Sequence, residues 1–250
     1  MLGKIRHSAK SRADRYLHES GHAVSRAEAR AAIEAGKVRA DGTLVEKPAQ
    51  LLRTGARIEF EPAHRYVSRG ALKLIAALDR FELSPQNRVC LDLGASTGGF
   101  TQVLLERGAA RVYAVDVGHG QLHASLKSDR RVLGLEGVNA RNLSRGQVGE
   151  PLDSIVADVS FISLKLVLAP ALKLTNRGAW LVALVKPQFE VGTRFIGKGG
   201  IVNDAAARER AVSGIADWLR TQRWSVHDAL ASPIAGGSGN REYLIAASRG

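Results

Sequence analysis

The sequence has little cysteine and no long apolar run, and both shortages narrow the classes of protein that it can be. One cysteine in 250 residues, Cys90, excludes an intramolecular disulfide and a cysteine-rich zinc site. The seven histidines lack zinc-site spacing, so we predict no metal. No apolar run reaches the roughly 18–20 residues of a membrane span, and the basic N-terminus lacks the apolar segment of a secretory signal. We therefore expect a soluble, cytoplasmic protein.

Acidic residues are also scarce relative to basic ones. Lys and Arg number 36 against 24 Asp and Glu, which gives a formal net charge of +12. The excess is spread along the chain and is densest over residues 4–15. A protein this basic usually binds a polyanion, either nucleic acid or an anionic membrane surface. With 45% apolar residues, most of the chain is expected to fold.

The N-terminal quarter predicts a small α+β unit. Residues 12–36 read as two short helices, the second beginning at Ser25 with the spacing of a capping box and ending at Gly36. Short strands follow around the tight-turn pair Asp41-Gly42 and over residues 56–60. We expect a unit and basic arm over 1–62, a linker over 63–67 and a second domain over 68–250.

The remainder alternates between apolar strand-like runs and helical patterns. The seven predicted strands are Val89–Leu93, Arg111–Val115, Val132–Leu135, Ser154–Ala157, Ala179–Val185, Val226–Ala229 and Tyr243–Ala247. The helices between them are Ala71–Phe81, Phe100–Glu106, Leu164–Leu174 and Ala205–Arg220. This alternation predicts an α/β fold with a mostly parallel sheet covered on both faces. The last two strands have no crossover helix between them, so they should pair antiparallel at a sheet edge.

A glycine-rich turn after the first of these strands is the sharpest local motif. It carries Asp92, Gly94, Ala95, Ser96, Thr97, Gly98, Gly99 and Phe100. The spacing matches neither the dinucleotide fingerprint nor a phosphate loop, and an acid at Asp92 suits a cationic cofactor better than a pyrophosphate. Asp116 follows Gly94 by 22 residues, where such folds place an acid on ribose hydroxyls. S-adenosyl-L-methionine fits this set; a nicotinamide site and a ligand-free turn remain as alternatives.

Four further polar residues lie at the ends of predicted elements. Asp158 and Lys186 end parallel strands, Glu242 begins the antiparallel one, and Lys73 opens the helix before the first strand. The carboxyl ends of parallel strands line the ligand crevice of an open α/β sheet, and an antiparallel strand begins at that same edge. We therefore expect Asp158, Lys186 and Glu242 to converge at the ligand crevice.

Five segments in this order resemble the TlyA (hemolysin A) family of rRNA ribose methyltransferases, which is related to FtsJ. They are residues 68–73, 92–100, 157–164, 184–190 and 237–243. Residues 12–61 are similar to an RNA-binding domain first seen in a small-subunit ribosomal protein. The resemblance implies a Rossmann-like class I methyltransferase domain whose seven-stranded, mostly parallel sheet has an antiparallel last strand, preceded by the small RNA-binding domain.

The resemblance also implies roles for the polar residues. The catalytic set of the family maps onto Lys73, Asp158, Lys186 and Glu242, with Lys186 as the general base for a ribose 2′-hydroxyl, cytidine being the expected nucleoside. A lysine accepts that proton only in its neutral form, which burial and a second cation, Lys73, would favour.

Ribosomal RNA or a ribosomal subunit is the expected partner. The cations placed to contact its phosphates are Arg12, Arg15, Arg26, Arg30, Lys37 and Arg39. Two other classes of function stay open. One is a non-catalytic RNA-binding or ribosome-assembly protein, and the other is a membrane-active hemolysin.

Overall fold

The computed structural model describes residues 10–23, 25–236 and 239–250. Its contacts divide the chain into two compact units, residues 1–65 and 66–250. The basic block before Lys10, and Gly237 and Ser238 of the last sequence motif, lie outside the described residues. The linker expected over 63–67 stays a prediction.

The described part of the N-terminal unit has two helices and five short strands. These are β1 (Lys10–Arg12), α1 (Ala13–Glu19), α2 (Arg26–Glu34), β2 (Val38–Ala40), β3 (Thr43–Leu44), β4 (Leu51–Arg53) and β5 (Ile58–Phe60). β1 pairs with β4, while β2 lies between β3 and β5, and all these pairs are antiparallel. Leu17, Ile33 and Val38 are buried together in its core. The sequence indicated both helices, the strands around Asp41-Gly42 and the strand near residues 56–60, but not β1 or β4, which are too short to show a period.

Local chemistry explains where α2 begins and ends. Ser25 Oγ accepts from the backbone N–H of Glu28 at 3.2 Å, so the predicted cap is present. Gly36 has a φ of +69°. The amides of Gly36 and Lys37 donate to the carbonyls of Ile33 and Ala32, which is a Schellman motif.

The C-terminal unit is a seven-stranded sheet with helices on both faces. Its strands are β6 (Val89–Leu93), β7 (Arg111–Asp116), β8 (Val132–Glu136), β9 (Leu152–Ala157), β10 (Thr175–Val185), β11 (Trp224–Ala231) and β12 (Tyr243–Arg249). Its helices are α3 (Gly70–Arg80), α4 (Gly99–Glu106), α5 (Ala124–Lys127), α6 (Leu164–Leu172), α7 (Pro187–Glu190) and α8 (Ala205–Thr221). The strand order is β11-β12-β10-β9-β6-β7-β8. The predicted α/β class and the antiparallel last strand are confirmed, since β12 runs against both β10 and β11.

The sheet separates two apolar layers that fix its position. Side chains alternate along each strand, so Leu91 and Leu93 pack with α6 and α8, whereas Cys90 packs with α3 and α4 on the opposite face. Burial raises the pKa of the Cys90 thiol to about 12, so Cys90 is a protonated core residue. With both faces covered, ligands can reach the sheet only at its edges and ends.

The strand register brings several chain segments to one end of the sheet. Ala183 of β10 pairs with Ala157 of β9, and Val185 pairs with Tyr243 of β12. Lys186 directly follows Val185, and Glu242 directly precedes Tyr243. The carboxyl ends of β9 and β10 and the amino end of β12 are therefore neighbours.

Candidate active site

The glycine turn between β6 and α4 is packed tightly against the end of β9. Gly94 has a φ of +81°, and a Cβ placed on it would lie 2.4 Å from the carbonyl oxygen of Asp158. Gly98 has a φ of +99°, and a Cβ there would lie 2.2 Å from Leu126 Cδ1. Both positions favour glycine for backbone conformation, and Gly94 also needs it for space because the neighbouring atom belongs to the backbone.

Four amides of this turn are already hydrogen-bonded, one within the turn and three to the end of β7. Gly94 and Ala95 both donate to the carbonyl of Val115, at 2.9 and 3.1 Å, and Gly98 donates to the carbonyl of Ala95 at 2.7 Å. The Ser96 amide donates to Asp116 Oδ2 at 2.8 Å. A phosphate cradle needs free amides that point at the ligand. These four amides therefore favour a ligand held by side chains and by shape.

Asp92 lies beneath the turn and does not line the cavity above it. Its side chain is fully buried, and Oδ2 accepts from Thr101 Oγ1 of α4 at 2.7 Å. Burial raises the pKa of Asp92 to about 7, and the nearby carboxylates of Asp158 and Asp116 push in the same direction. Oδ1 has no hydrogen-bond partner within the described part of the chain. Asp92 can thus act on a ligand through the turn and through its charge, without contact.

A cavity of about 520 Å³ opens at the carboxyl ends of the strands. Of the sequence-predicted cofactor residues, Gly94, Ser96, Asp116 and Asp158 line it. Ala95, Gly98, Gly99 and Phe100 are buried behind its wall. Thr97 is partly exposed but does not line the cavity.

Asp116 is the acid on the cavity wall that is held most firmly. Its Oδ1 accepts from the Gly118 amide and its Oδ2 from the Ser96 amide, both at 2.8 Å. A carboxylate has about four lone-pair sites, so Asp116 can still accept from ligand hydroxyls.

Part of the cavity wall was not predicted from the sequence. Val138, Asn139, Ala140 and Arg141 line it after β8. Their position just after a strand's carboxyl end was the available signal, but they do not belong to the glycine motif.

The four predicted catalytic residues form two short ion pairs. Lys73 Nζ lies 2.6 Å from Glu242 Oε2, and Lys186 Nζ lies 2.6 Å from Asp158 Oδ1. Both lysine side chains are only 10% exposed. Each cation thus has a carboxylate of its own, and the set carries no net charge.

The two ion pairs are close to each other. A Cβ placed on Gly70, one turn before Lys73, would lie 3.7 Å from Asp158 Oδ2. The strand register places Lys186 next to Glu242. The convergence expected from the topology is therefore present, at the end of the sheet where the cavity opens.

The loop between β9 and α6 is held from the far side by Glu190. Its Oε2 accepts from Ser163 Oγ and its Oε1 from the Leu164 amide, both at 2.7 Å. Burial raises the pKa of Glu190.

In the loop between β9 and α6, Phe161 has a φ of +63°, is 90% exposed and packs at 5.2 Å against the ring of Phe189. An exposed aromatic ring in this backbone conformation stands at the mouth of the cavity.

In the N-terminal unit, three of the predicted RNA-binding residues surround one buried acid. Asp14 is 0% exposed and accepts from Arg12 Nε at 3.0 Å and from Arg26 Nη2 at 2.8 Å. Arg30 Nη2 lies 4.0 Å from the same carboxylate. The hydrogen bonds and charge of Arg12, and then of Arg26, hold the pKa of Asp14 well below its usual range.

The other predicted RNA-binding residues lie outside this cluster. Arg15 pairs with Glu19 at 2.7 Å on α1, and Arg39 donates to the carbonyl of Gly42. Lys37 is exposed after the end of α2. The structure therefore brings three of the six predicted cations together and leaves three apart.

Two kinds of feature are absent from the described ranges. No cluster of three or more His, Cys, Asp or Glu there could hold a metal ion. No helix in the part of the chain that the structure describes has the length and apolar character to cross a membrane.

Comparisons with known proteins agree with this architecture. An O-methyltransferase from Bacillus cereus shares the fold, with a TM-score of 0.51 and 20% identity over 75% of this chain and 84% of that one. Residues 66–249 match the FtsJ-like methyltransferase model, and residues 11–58 match the S4 domain. The chain therefore belongs to the FtsJ-like methyltransferase family.

Relatives that match over most of their own length support the same assignment to a methyltransferase family. The 16S/23S rRNA (cytidine-2′-O)-methyltransferase TlyA of Mycobacterium tuberculosis is 47% identical, covering 94% of this chain and 89% of its own length. Hemolysin A of Brachyspira hyodysenteriae is 39% identical, covering 93% and 98%. A solved hemolysin-type protein from Streptococcus thermophilus is 38% identical, with a TM-score of 0.77 over 96% of this chain and 88% of that one.

Proposed function

We propose that this protein transfers a methyl group from S-adenosyl-L-methionine to a ribose 2′-hydroxyl of ribosomal RNA, with cytidine as the nucleoside. The observation that carries the proposal is the pair of buried ion pairs, Lys73–Glu242 and Lys186–Asp158, at the end of the sheet where the cavity opens. The naming of the Mycobacterium tuberculosis relative as a cytidine-2′-O-methyltransferase supports the same reaction. Such an enzyme works where ribosomes are, in the cytoplasm.

The walls of the cavity suit this cofactor chemically. Asp116 would hold the ribose hydroxyls, because both of its oxygens are fixed by backbone amides and keep acceptor capacity. Asp116 and Asp158 face the cavity with negative charge, which suits a sulfonium and an ammonium group. Gly94 and Ser96 would pack against the ligand, with Asp92 and the rest of the turn behind them. The bound cofactor supplies the activated methyl group.

The chain's own contribution is to hold the target hydroxyl and to accept its proton. A 2′-hydroxyl is a weak nucleophile, so its O–H bond must break as its oxygen forms the new bond to carbon. Lys186 in its neutral form would accept that proton, with Asp158 orienting the amine. Lys73 would be held at the same end of the sheet by Glu242. Burial of both pairs excludes bulk water and strengthens these effects.

The N-terminal unit would bind the RNA. Three arginines around the single carboxylate of Asp14 leave two positive charges on one surface, which suits phosphates. The match of residues 11–58 to the S4 domain supports this assignment. Arg15, Lys37 and Arg39 would add further phosphate contacts from neighbouring elements.

Lys186→Ala tests the proposed chemistry directly. We expect methyl transfer to ribosomal RNA to fall by at least about 100-fold, as for loss of a general base, with cofactor affinity kept within about 2-fold. Transfer is measured with a labelled methyl group and cofactor binding by calorimetry. Lys173→Ala, at an exposed lysine after α6, is the matched control and should keep full activity. Near-normal turnover in Lys186→Ala would refute the assignment of the base.

A further inference from the structure

Lys186 has a second hydrogen-bond partner that lies outside the four-residue set. Its Nζ donates to Ser160 Oγ at 2.8 Å, in addition to the 2.6 Å contact with Asp158 Oδ1. Both acceptors belong to the loop that follows β9 and are two residues apart. The lysine side chain is 10% exposed, so these two contacts dominate the surroundings of its amine.

We propose that Ser160 is a positioning residue that aims the reactive direction of Lys186 at the target hydroxyl. This inference rests on the proposed function. A lysine nitrogen has three directions besides its bond to Cε. With N–H groups directed to Asp158 and Ser160, the neutral amine has its lone pair in the third direction. The incoming proton forms its N–H bond there as the ribose O–H bond breaks, and both existing hydrogen bonds persist in the resulting ammonium ion.

Asp158 alone would not fix this orientation. One acceptor leaves the amine free to rotate about the Cε–Nζ bond, so the lone pair would spend much of its time in other directions. A second acceptor stops the rotation, and alignment of reacting groups of this kind contributes directly to rate.

The loop that carries Ser160 has contacts of its own besides the bond to Lys186. Phe161, the next residue, has a left-handed backbone conformation with a φ of +63°. Glu190 then fixes the end of the loop through Ser163 Oγ and the Leu164 amide. Ser160 itself lines the cavity and is exposed. A side chain held in this way is pre-organised for the lysine before substrate arrives.

Ser160→Ala and Ser160→Thr together test the role. Ser160→Ala should lower the single-turnover rate by about 10-fold while leaving the KM for RNA and the Kd for cofactor unchanged, because only the alignment of the amine is lost. Ser160→Thr keeps the hydroxyl and should retain the rate within about 3-fold. Ser213→Ala, an exposed serine of α8, is the control and should behave as the wild type.

The outcomes separate this inference from the proposed function. If Lys186→Ala is inactive but Ser160→Ala keeps the wild-type rate, the role of Ser160 is overturned and the function stands. If Lys186→Ala stays active, both are overturned. Equal losses in Ser160→Ala and Ser160→Thr, or a loss accompanied by weaker cofactor binding, would show that Ser160 only shapes the loop and would overturn its positioning role.

Discussion

The two units arrange buried carboxylates and cations in opposite ways. In the N-terminal unit one carboxylate, Asp14, serves three arginines whose side chains are about half exposed. In the catalytic unit each of two lysines has a carboxylate of its own, and both lysines are almost buried. The first cluster therefore carries an excess of two positive charges, and the second carries none.

This difference separates binding from chemistry. Excess charge on exposed, long side chains attracts a polyanion from solution and contacts its phosphates without reading the bases. A buried site whose charges balance attracts a polyanion only weakly from a distance. Its ion pairs instead hold each lysine nitrogen in a defined place. The formal net charge of +12 is thus a guide to the RNA partner. The Lys73–Glu242 and Lys186–Asp158 pairs contribute no net charge to it.

Breaking one balanced pair should have the largest effect. Glu242→Ala leaves the Lys73 ammonium buried without its partner, so we expect unfolding in urea to require about 3–5 kcal/mol less free energy, together with loss of methyl transfer. The double variant Lys73→Met with Glu242→Leu should recover most of the stability, because apolar groups replace the pair, but none of the activity.

The control for this prediction is a second ion pair, which joins α3 to β11. Arg80 of α3 and Asp228 of β11 form a 3.4 Å ion pair in which both side chains are exposed. Asp228→Asn should cost less than about 1 kcal/mol and leave activity intact. Equal costs for Glu242→Ala and Asp228→Asn would contradict the buried character of the Lys73–Glu242 pair.

Asp14→Asn should weaken RNA binding by about 10-fold even though it makes the protein more positive. The arginines would lose the carboxylate that aligns them, and unaligned side chains must be ordered when RNA binds. Affinity is measured by filter binding at several salt concentrations, on protein shown to be folded by circular dichroism. Glu19→Gln removes the same charge from an exposed ion pair of α1 and is the matched control. Tighter binding in both variants would mean that Asp14 only neutralises charge.

The fold and much of the site could be predicted because the strands, and therefore their ends, were recognisable in the sequence. Seven apolar runs separated by helical patterns defined the parallel sheet, and Asp158, Lys186 and Glu242 stood directly at the ends of strands. Topology then required them to meet, as the two 2.6 Å pairs show. The glycine positions were equally accessible, since positive φ at Gly94 and Gly98 follows from their place in a tight turn.

Other features depended on contacts that no pattern encodes. Asp14 lies between two arginines in sequence and reads as a surface acid, yet it is fully buried. Ser160 gave no signal of its own, because its link to Lys186 spans 26 residues and depends on the loop conformation. The turn amides bond to Val115 and Asp116, and the glycine spacing does not show this pairing. Such partners are set by packing and not by periodicity.

Another buried carboxylate, Asp92, extends the comparison because no cation among the described residues pairs with it. The pKa of Asp14, beside three arginines, lies well below the usual range, whereas burial raises that of Asp92 to about 7.

A cationic cofactor near Asp116 and Asp158 would favour the ionised form of Asp92, so binding should release a proton from it. The affinity of the wild type for S-adenosyl-L-methionine should then rise about 2- to 5-fold between about pH 6 and about pH 7.5. Calorimetry in buffers of different ionisation enthalpy measures both the affinity and the released proton. Asp92→Asn should show a flatter profile, because an amide cannot titrate, and an unchanged slope in that variant would assign the proton to another group.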